Sequence, residues 1–312
     1  MSKLPDKPSI QSGIDLIGFP MDLGADRRGV DMGPSALRIA CIHDRLQQLG
    51  YSVIDHGDLS IEIRERLLIE NPRLKYLSEI VKKSEALAKM VQQILASGRF
   101  PLCIGGDHTI ALGSLAGIAA HCKDAHCTPG VIWIDAHGDM NTEQTTPSGN
   151  IHGMALAASL GIGHPRLTNL LGFAPKIKPE HCALIAVRQL DPGERETIRK
   201  IRLPVYTMTD IDRRGMAAII DEILRNMMQS VQHLHLSLDL DSIDPTLAQG
   251  VGTPVVGGLS YREAHLLMET IADCGCLSSM DLAEMNPILD VANKSAEFAV
   301  GLLASLMGKR IL

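Results

Sequence analysis

Eight short apolar runs, separated by longer amphipathic stretches, constrain the fold of this chain more than any other feature. The runs fall at 14–19, 52–55, 100–104, 131–134, 182–187, 204–206, 233–238 and 277–282. They are rich in Leu, Ile and Val, as expected of strands buried on both faces. Helix-like stretches lie between most of them, at 33–48, 75–97, 110–121, 191–200, 214–229, 261–273 and 295–307. Within 75–97, Ile80, Leu87, Met90, Val91 and Ile94 fall close to one helical face. Strand–helix alternation of this kind predicts an α/β fold, a three-layer αβα arrangement with a largely parallel central sheet. Length alone, at 312 residues, leans toward two domains. No internal repeat, low-complexity tract or long linker divides the chain, so a single domain over 1–312 is expected, with 1–12 a flexible leader.

Three of these runs end in ligand-type side chains. The run 130–134 leads into Asp135-Ala136-His137-Gly138-Asp139. An extended segment would project this i, i+2, i+4 set to one side. The run 233–238 leads into Asp239-Leu240-Asp241, and the run 100–104 ends in Gly105-Gly106-Asp107-His108. Parallel α/β sheets keep their sites at such carboxyl ends. Carboxylates converging there repel one another unless a cation sits between them. The set is two imidazoles and four carboxylates without a thiolate, which suits Mn²⁺ better than Zn²⁺ or Fe²⁺. Four carboxylates leave one divalent ion over-compensated, whereas two ions sharing a carboxylate balance the charge and form a known device for activating water. A lone Asp-x-His-x-Asp is often only a capped strand–loop junction; three such ends in one chain argue for metal.

The formal charge of −6 offers no basic footprint for nucleic acid or an anionic membrane. No apolar stretch approaches the roughly 20 residues that span a bilayer. Residues 1–8 lack a signal-peptide apolar region. Seven cysteines at irregular spacing point to a reducing compartment, and so to a cytoplasmic protein. Cys122 and Cys127 beside His121 have no second cysteine pair at finger spacing and read as a loop with reduced thiols. Cys274 and Cys276 read as core packing. Gly- and Pro-rich patches at 24–33, 138–153 and 249–258 interrupt the pattern on the same rim as the ligands and are expected to shape a cleft.

With these residues in view, the chain resembles the ureohydrolase family over nearly its full length, arginases most closely. The resemblance rests on Gly-Gly-Asp-His at 105–108, Asp-Ala-His-Gly-Asp-Met-Asn at 135–141 and Ser-Leu-Asp-Leu-Asp-Ser-Ile-Asp-Pro at 237–245. The segments 17–24, 28–34 and 252–263 are similar to bacterial arginases as well. The resemblance implies two manganese ions per subunit. His108, Asp135, Asp139 and Asp239 would hold one; Asp135, His137, Asp239 and Asp241 would hold the other. It implies hydrolysis of L-arginine to L-ornithine and urea by a hydroxide bridging the ions, with agmatine or another guanidino compound as the alternative substrate. A metal-binding protein without activity is a third reading, opposed by the complete ligand set.

In the same way Asp139 would relay a proton to the leaving amine, and His152 would shuttle protons. Read alone, His152 is more readily an ordinary turn histidine bonded to backbone; its loop placement next to the ligand strand reverses that preference. Glu284, just past an apolar run, would orient a guanidinium through paired hydrogen bonds, and Thr253 would add a polar contact. Asn141, Ser148 and Asn150 match positions that recognise the substrate carboxylate, and Asp191 and Glu194 match those facing its amino group. Asp191 and Glu194 with Pro192 also make an ordinary helix start. Gln189, Ala155 and Thr109 depart from common family residues, and Gln189 puts the selectivity at the amino end in question. The family further implies a homo-oligomer, a trimer or a hexamer.

Overall fold

Strands that lack polar alternation must be covered on both faces, and this chain covers them. The computed structural model describes residues 13–310; the leader expected over 1–12 lies outside the described residues. All eight expected strands form: β1 (Ile14–Phe19), β2 (Val53–Asp58), β3 (Phe100–Gly105), β4 (Pro129–Ile134), β5 (Cys182–Val187), β6 (Val205–Thr207), β7 (His233–Asp239) and β8 (Leu277–Ala283). They make one sheet in the order β2-β1-β3-β8-β7-β4-β5-β6. Every neighbouring pair is parallel, so the sheet is wholly rather than largely parallel.

The helices are α1 (Gly33–Ile39), α2 (Ile42–Gln48), α3 (Leu77–Ala96), α4 (Ile110–Ala125), α5 (Ala155–Ser159), α6 (Pro165–Thr168), α7 (Pro192–Ile201), α8 (Met208–Arg214), α9 (Met216–Met227), α10 (Tyr261–Cys274) and α11 (Lys294–Leu306). Two cores result, one on each face of the sheet. Ile14, Leu16, Ile132 and Ile134 pack with α1, α2, α9, α10 and α11. Their strand neighbours Ile17, Phe19, Val131 and Trp133 pack with α3, α4 and α5. The period of two along each strand therefore feeds both layers, and the three-layer αβα reading holds.

The helix expected over 33–48 is two helices. Leu37 and Ile42 are both buried, yet their spacing would turn them to different faces of one continuous helix. A break at Cys41, in the left-handed region at φ 61, lets both point inward. Helix α4 runs past 121 to Ala125, so Cys122 lies in its last turn rather than in a loop and is buried. Helix α8 lacks a counterpart among the expected helices; Thr207 and Asp210 cap its start reciprocally. Cys274 and Cys276 do more than pack: their sulfurs are joined in a disulfide.

A close approach between two helices fixes the layer behind the third ligand-bearing strand end. A Cβ on Gly117 would sit 2.3 Å from the Ala88 carbonyl oxygen, so α4 lies against α3 at a separation only glycine permits. Helix α4 begins just after His108 and is held in place by that contact. The chain passes from β3 to β4 across the places filled by β8 and β7. The carboxyl ends of these four adjacent central strands surround one crevice, where open α/β sheets bind their ligands.

Candidate metal centre and substrate cleft

The turn after β3 is shaped by close approach. A Cβ on Gly106 would lie 1.9 Å from the Met21 carbonyl oxygen. Asp107, fully buried, accepts from the backbone N–H of Gly24 at 2.7 Å and of Thr109 at 3.0 Å. It pins the turn, and His108 is delivered inward. The His108 Nδ1 faces three carboxylate oxygens: Asp135 Oδ2 at 3.2 Å, Asp139 Oδ2 at 3.1 Å and Asp239 Oδ2 at 3.1 Å. Its Nε2 hydrogen-bonds Ser237 Oγ at 2.9 Å, and its ring stacks on Trp133 with centroids 4.1 Å apart.

Strand β4 ends at Ile134, so Asp135, His137 and Asp139 are not strand neighbours as expected. They converge because the loop folds back, with Asp139 in the left-handed region at φ 50. Asp135 Oδ1 accepts from the His137 N–H at 2.7 Å, and Asp135 Oδ2 from Trp133 Nε1 at 3.0 Å. His137 Nδ1 lies 3.0 Å from Asp241 Oδ2. Asp239 is the last residue of β7, and Asp241 sits in the following 3-10 turn, where its N–H donates to Asp239 Oδ1 at 2.8 Å.

Two groups of ligand atoms result, each within 4.8 Å: His108, Asp135 and Asp239, and Asp135, His137 and Asp241. They share Asp135. The electrostatics are those of a site built for cations. Burial, then Asp241 and Asp135, raise the Asp239 carboxyl well above its ordinary value. Burial and Asp135 push Asp139 up to about 6. Burial also works to raise Asp135, but the His108 and His137 rings outweigh it and hold that carboxyl low. Burial opposes a charge on His137, yet Asp241 and Asp135 push its pKa up to about 12. Asp139 Oδ2 remains buried without a well-formed hydrogen bond, a cost that a cation would remove. The donor set fits divalent metal.

Above the cluster opens a cavity whose lining includes His137, Asp139, Asp239, Asp241, His152 and Thr253 at the metal end and Asn141, Ser148, Asn150, Asp191 and Glu194 at the other. Thr253 Oγ1 donates to Asp241 Oδ2 at 2.9 Å. Glu284 lies beneath this surface, buried, at φ 64. Its Oε1 accepts from the His108 backbone N–H at 3.0 Å and pairs with His152 Nδ1 at 2.9 Å. At the far end, Asn141 Nδ2 donates to Asp191 Oδ2 at 2.9 Å. The Asn150 N–H donates to Ser148 Oγ at 3.2 Å. Glu194 accepts from the Met140 and Asp191 N–H groups at 2.9 and 2.8 Å. Gln189 is exposed and is not part of the cavity wall.

Three contributors escape a reading by motif. Trp133 and Ser237 hold His108 and Asp135, and Arg188 donates to the carbonyls of Asp241 at 2.7 Å and Val255 at 2.7 Å, tying two rim loops together. Trp133 and Ser237 each stand two residues before a ligand, so position along the strand was the available signal.

A wholly parallel αβα sheet with a shared Asp/His cluster at its carboxyl rim is the architecture of an α/β metal-binding protein. The chain belongs to the arginase family, whose sequence profile matches residues 12–308. It is 50% identical to an arginase of Brevibacillus brevis over 97% of this chain and 100% of that one. It is 52% identical to an arginase of Bacillus caldovelox over 96% and 99% of the respective chains. The solved Bacillus caldovelox arginase superposes with a TM-score of 0.92 at 51% identity, covering 96% of this chain and 100% of that one. Among the described residues no helix is long and apolar enough to cross a membrane.

Proposed function

We propose that this protein is a single-unit, cytoplasmic manganese hydrolase that converts L-arginine to L-ornithine and urea. The observation that carries this reading is the pair of ligand groups sharing Asp135 at the floor of a cavity whose opposite end is amide- and acid-lined. His108, Asp135, Asp139 and Asp239 would hold one Mn²⁺ and Asp135, His137, Asp239 and Asp241 the other, and such a pair would acidify water toward hydroxide near neutral pH. The chain does the rest. Burial of His152 opposes its charging, but the Glu284 bond and charge, with Asp139 and Asp107, push its pKa up to about 9. With Nδ1 anchored on Glu284 Oε1, His152 would give the proton of its other ring nitrogen to an amine leaving group. Asp139 takes a proton from the attacking water and passes it toward the same amine. Glu284 acts on the guanidinium from below, and Thr253 steadies Asp241.

Asn141, Ser148 and Asn150 donate to the substrate carboxylate, and Asp191 faces the ammonium. Glu194, with both oxygens engaged by backbone N–H groups, acts at the amino end by setting Asp191 and Met140 in place. Arginine and agmatine differ only at this end, so urea release from the two, side by side after Mn²⁺ loading, is the test. Faster turnover of agmatine overturns the substrate; no urea from either overturns the activity. The subunits assemble as a trimer or hexamer, a reading that rests on the family resemblance alone. A monomeric native mass would refute it.

A further inference from the structure

The cavity contains no lysine or arginine among its lining residues, although its far end is assigned to a substrate carboxylate. At this end a lysine stands one side chain behind the wall. Lys75 Nζ donates to Asn150 Oδ1 at 3.0 Å and to Asp26 Oδ1 at 2.6 Å, and its side chain is only 18% exposed. Its own backbone N–H donates to the Gly149 carbonyl at 3.1 Å. The segment preceding α3 is stitched to the 143–150 loop at further points. Arg73 donates to the carbonyls of Glu143 and Gln144. Gly149, at φ +79, packs where a Cβ would lie 1.8 Å from the Pro72 carbonyl oxygen.

We propose that Lys75 is a positioning residue that makes this end of the cavity selective for a carboxylate. The proposal rests on the arginase reading and deepens it. An amide has an acceptor end and a donor end. With Oδ1 turned to the ammonium and one Nδ2 hydrogen on the Asp26 carboxylate, Asn150 keeps its second Nδ2 hydrogen as the donor an anion needs. Polarisation along Nζ–H···Oδ1=C–Nδ2–H strengthens that donor. Placement matters as much as charge. A bare ammonium inside the cavity would repel the guanidinium and amino groups of the substrate. One amide behind the wall, its field is felt mainly by the group bonded to Asn150. The Asp26 partner, 64% exposed and 2.6 Å away, holds that ammonium between itself and Asn150.

The test compares L-arginine, L-argininamide and agmatine on the Mn²⁺-loaded enzyme, with L-ornithine and putrescine binding measured by calorimetry. Lys75→Met is expected to raise KM for L-arginine about tenfold, the scale of one charge-assisted hydrogen bond, with kcat within about twofold. Turnover of argininamide and agmatine should hardly move, and only ornithine binding should weaken. Lys75→Arg should restore most of the loss. An equal loss on all three substrates would show mere support of the loop, and no loss would show no role; either overturns the proposal. Asn150→Ala separates the two levels. If it leaves the arginine-to-argininamide ratio unchanged, the carboxylate reading itself fails. If it lowers the ratio while Lys75→Met does not, only the role of Lys75 fails.

Discussion

Asp135 touches both ligand groups, with Oδ2 3.2 Å from His108 Nδ1 and Oδ1 3.5 Å from His137 Nδ1. Removing it takes a ligand from each at once. Loss of groups that merely orient ligands costs roughly 10–100-fold in metal affinity or activity, so Asp135→Ala is expected to lower urea release at least about a hundredfold and to deplete bound metal. Elemental analysis beside the urea assay checks this, and full metal content with full turnover would refute the site. The candidate ligands could be picked out of the sequence because six Asp and His side chains fall at or just past three strand ends. The geometry that makes them converge was not legible there. Strand alternation does not extend beyond Ile134; a left-handed backbone at Asp139 brings that carboxylate round. A non-glycine residue at positive φ leaves no clear trace in a sequence. Glu284, at φ 64, was hidden in the same way, and its grip on His152 depends on a fold that joins residues 132 positions apart.

At the scale of elements, helix α7 shows how a structural motif and a site share side chains. Asp191 and Glu194 form a capping box at its start, which satisfies backbone N–H groups that a helix leaves orphaned. Glu194 also takes the N–H of Met140, beside Asp139. Burial pushes the Glu194 carboxyl up to about 7, against the two backbone hydrogen bonds that lower it, with Asp139 and Asp191 adding to the rise. Glu194→Ala should therefore cost about 1–3 kcal/mol, the sum of a lost cap and an unsatisfied buried N–H. Denaturant unfolding measures it, and an unchanged midpoint would contradict the account. Most strand positions were readable as apolar runs, whereas the edge strand β2 (Val53–Asp58) is apolar only at its start and largely exposed. The break at Cys41 and the short helix α8 were not readable, since they answer to the phase of burial against neighbours rather than to local composition.

At the scale of the whole molecule, a sheet buried on both faces must also bury what its central strands carry. The pattern His233-Leu-His235-Leu-Ser237 resembles a half-exposed strand, yet every one of these residues is buried. The partners come from β8 and α4. Ser279 Oγ bonds His233 Nε2 at 3.0 Å and His235 Nδ1 at 2.9 Å, and Asp281 takes His235 Nε2 at 3.0 Å and the Ser114 hydroxyl at 2.5 Å. A sequence does not reveal which strands will be neighbours, so this network was invisible in it. Burial, with His235 on the same strand and His121 facing from α4, pushes the His233 pKa down to about 3 from an ordinary 6.5. Between those values the folded protein keeps His233 neutral while the unfolded chain binds a proton. The unfolded state is then favoured by acid. The contribution of His233 is complete above pH 6.5 and is lost as pH falls below it. His233→Gln keeps a polar partner for Ser279 but cannot titrate. Its thermal midpoint should therefore fall less steeply than that of the parent between about pH 6.5 and 4, in parallel melts at fixed ionic strength. Equal slopes would mean that His233 titrates alike in both states, and a steeper slope in the variant would reverse the sign of the argument.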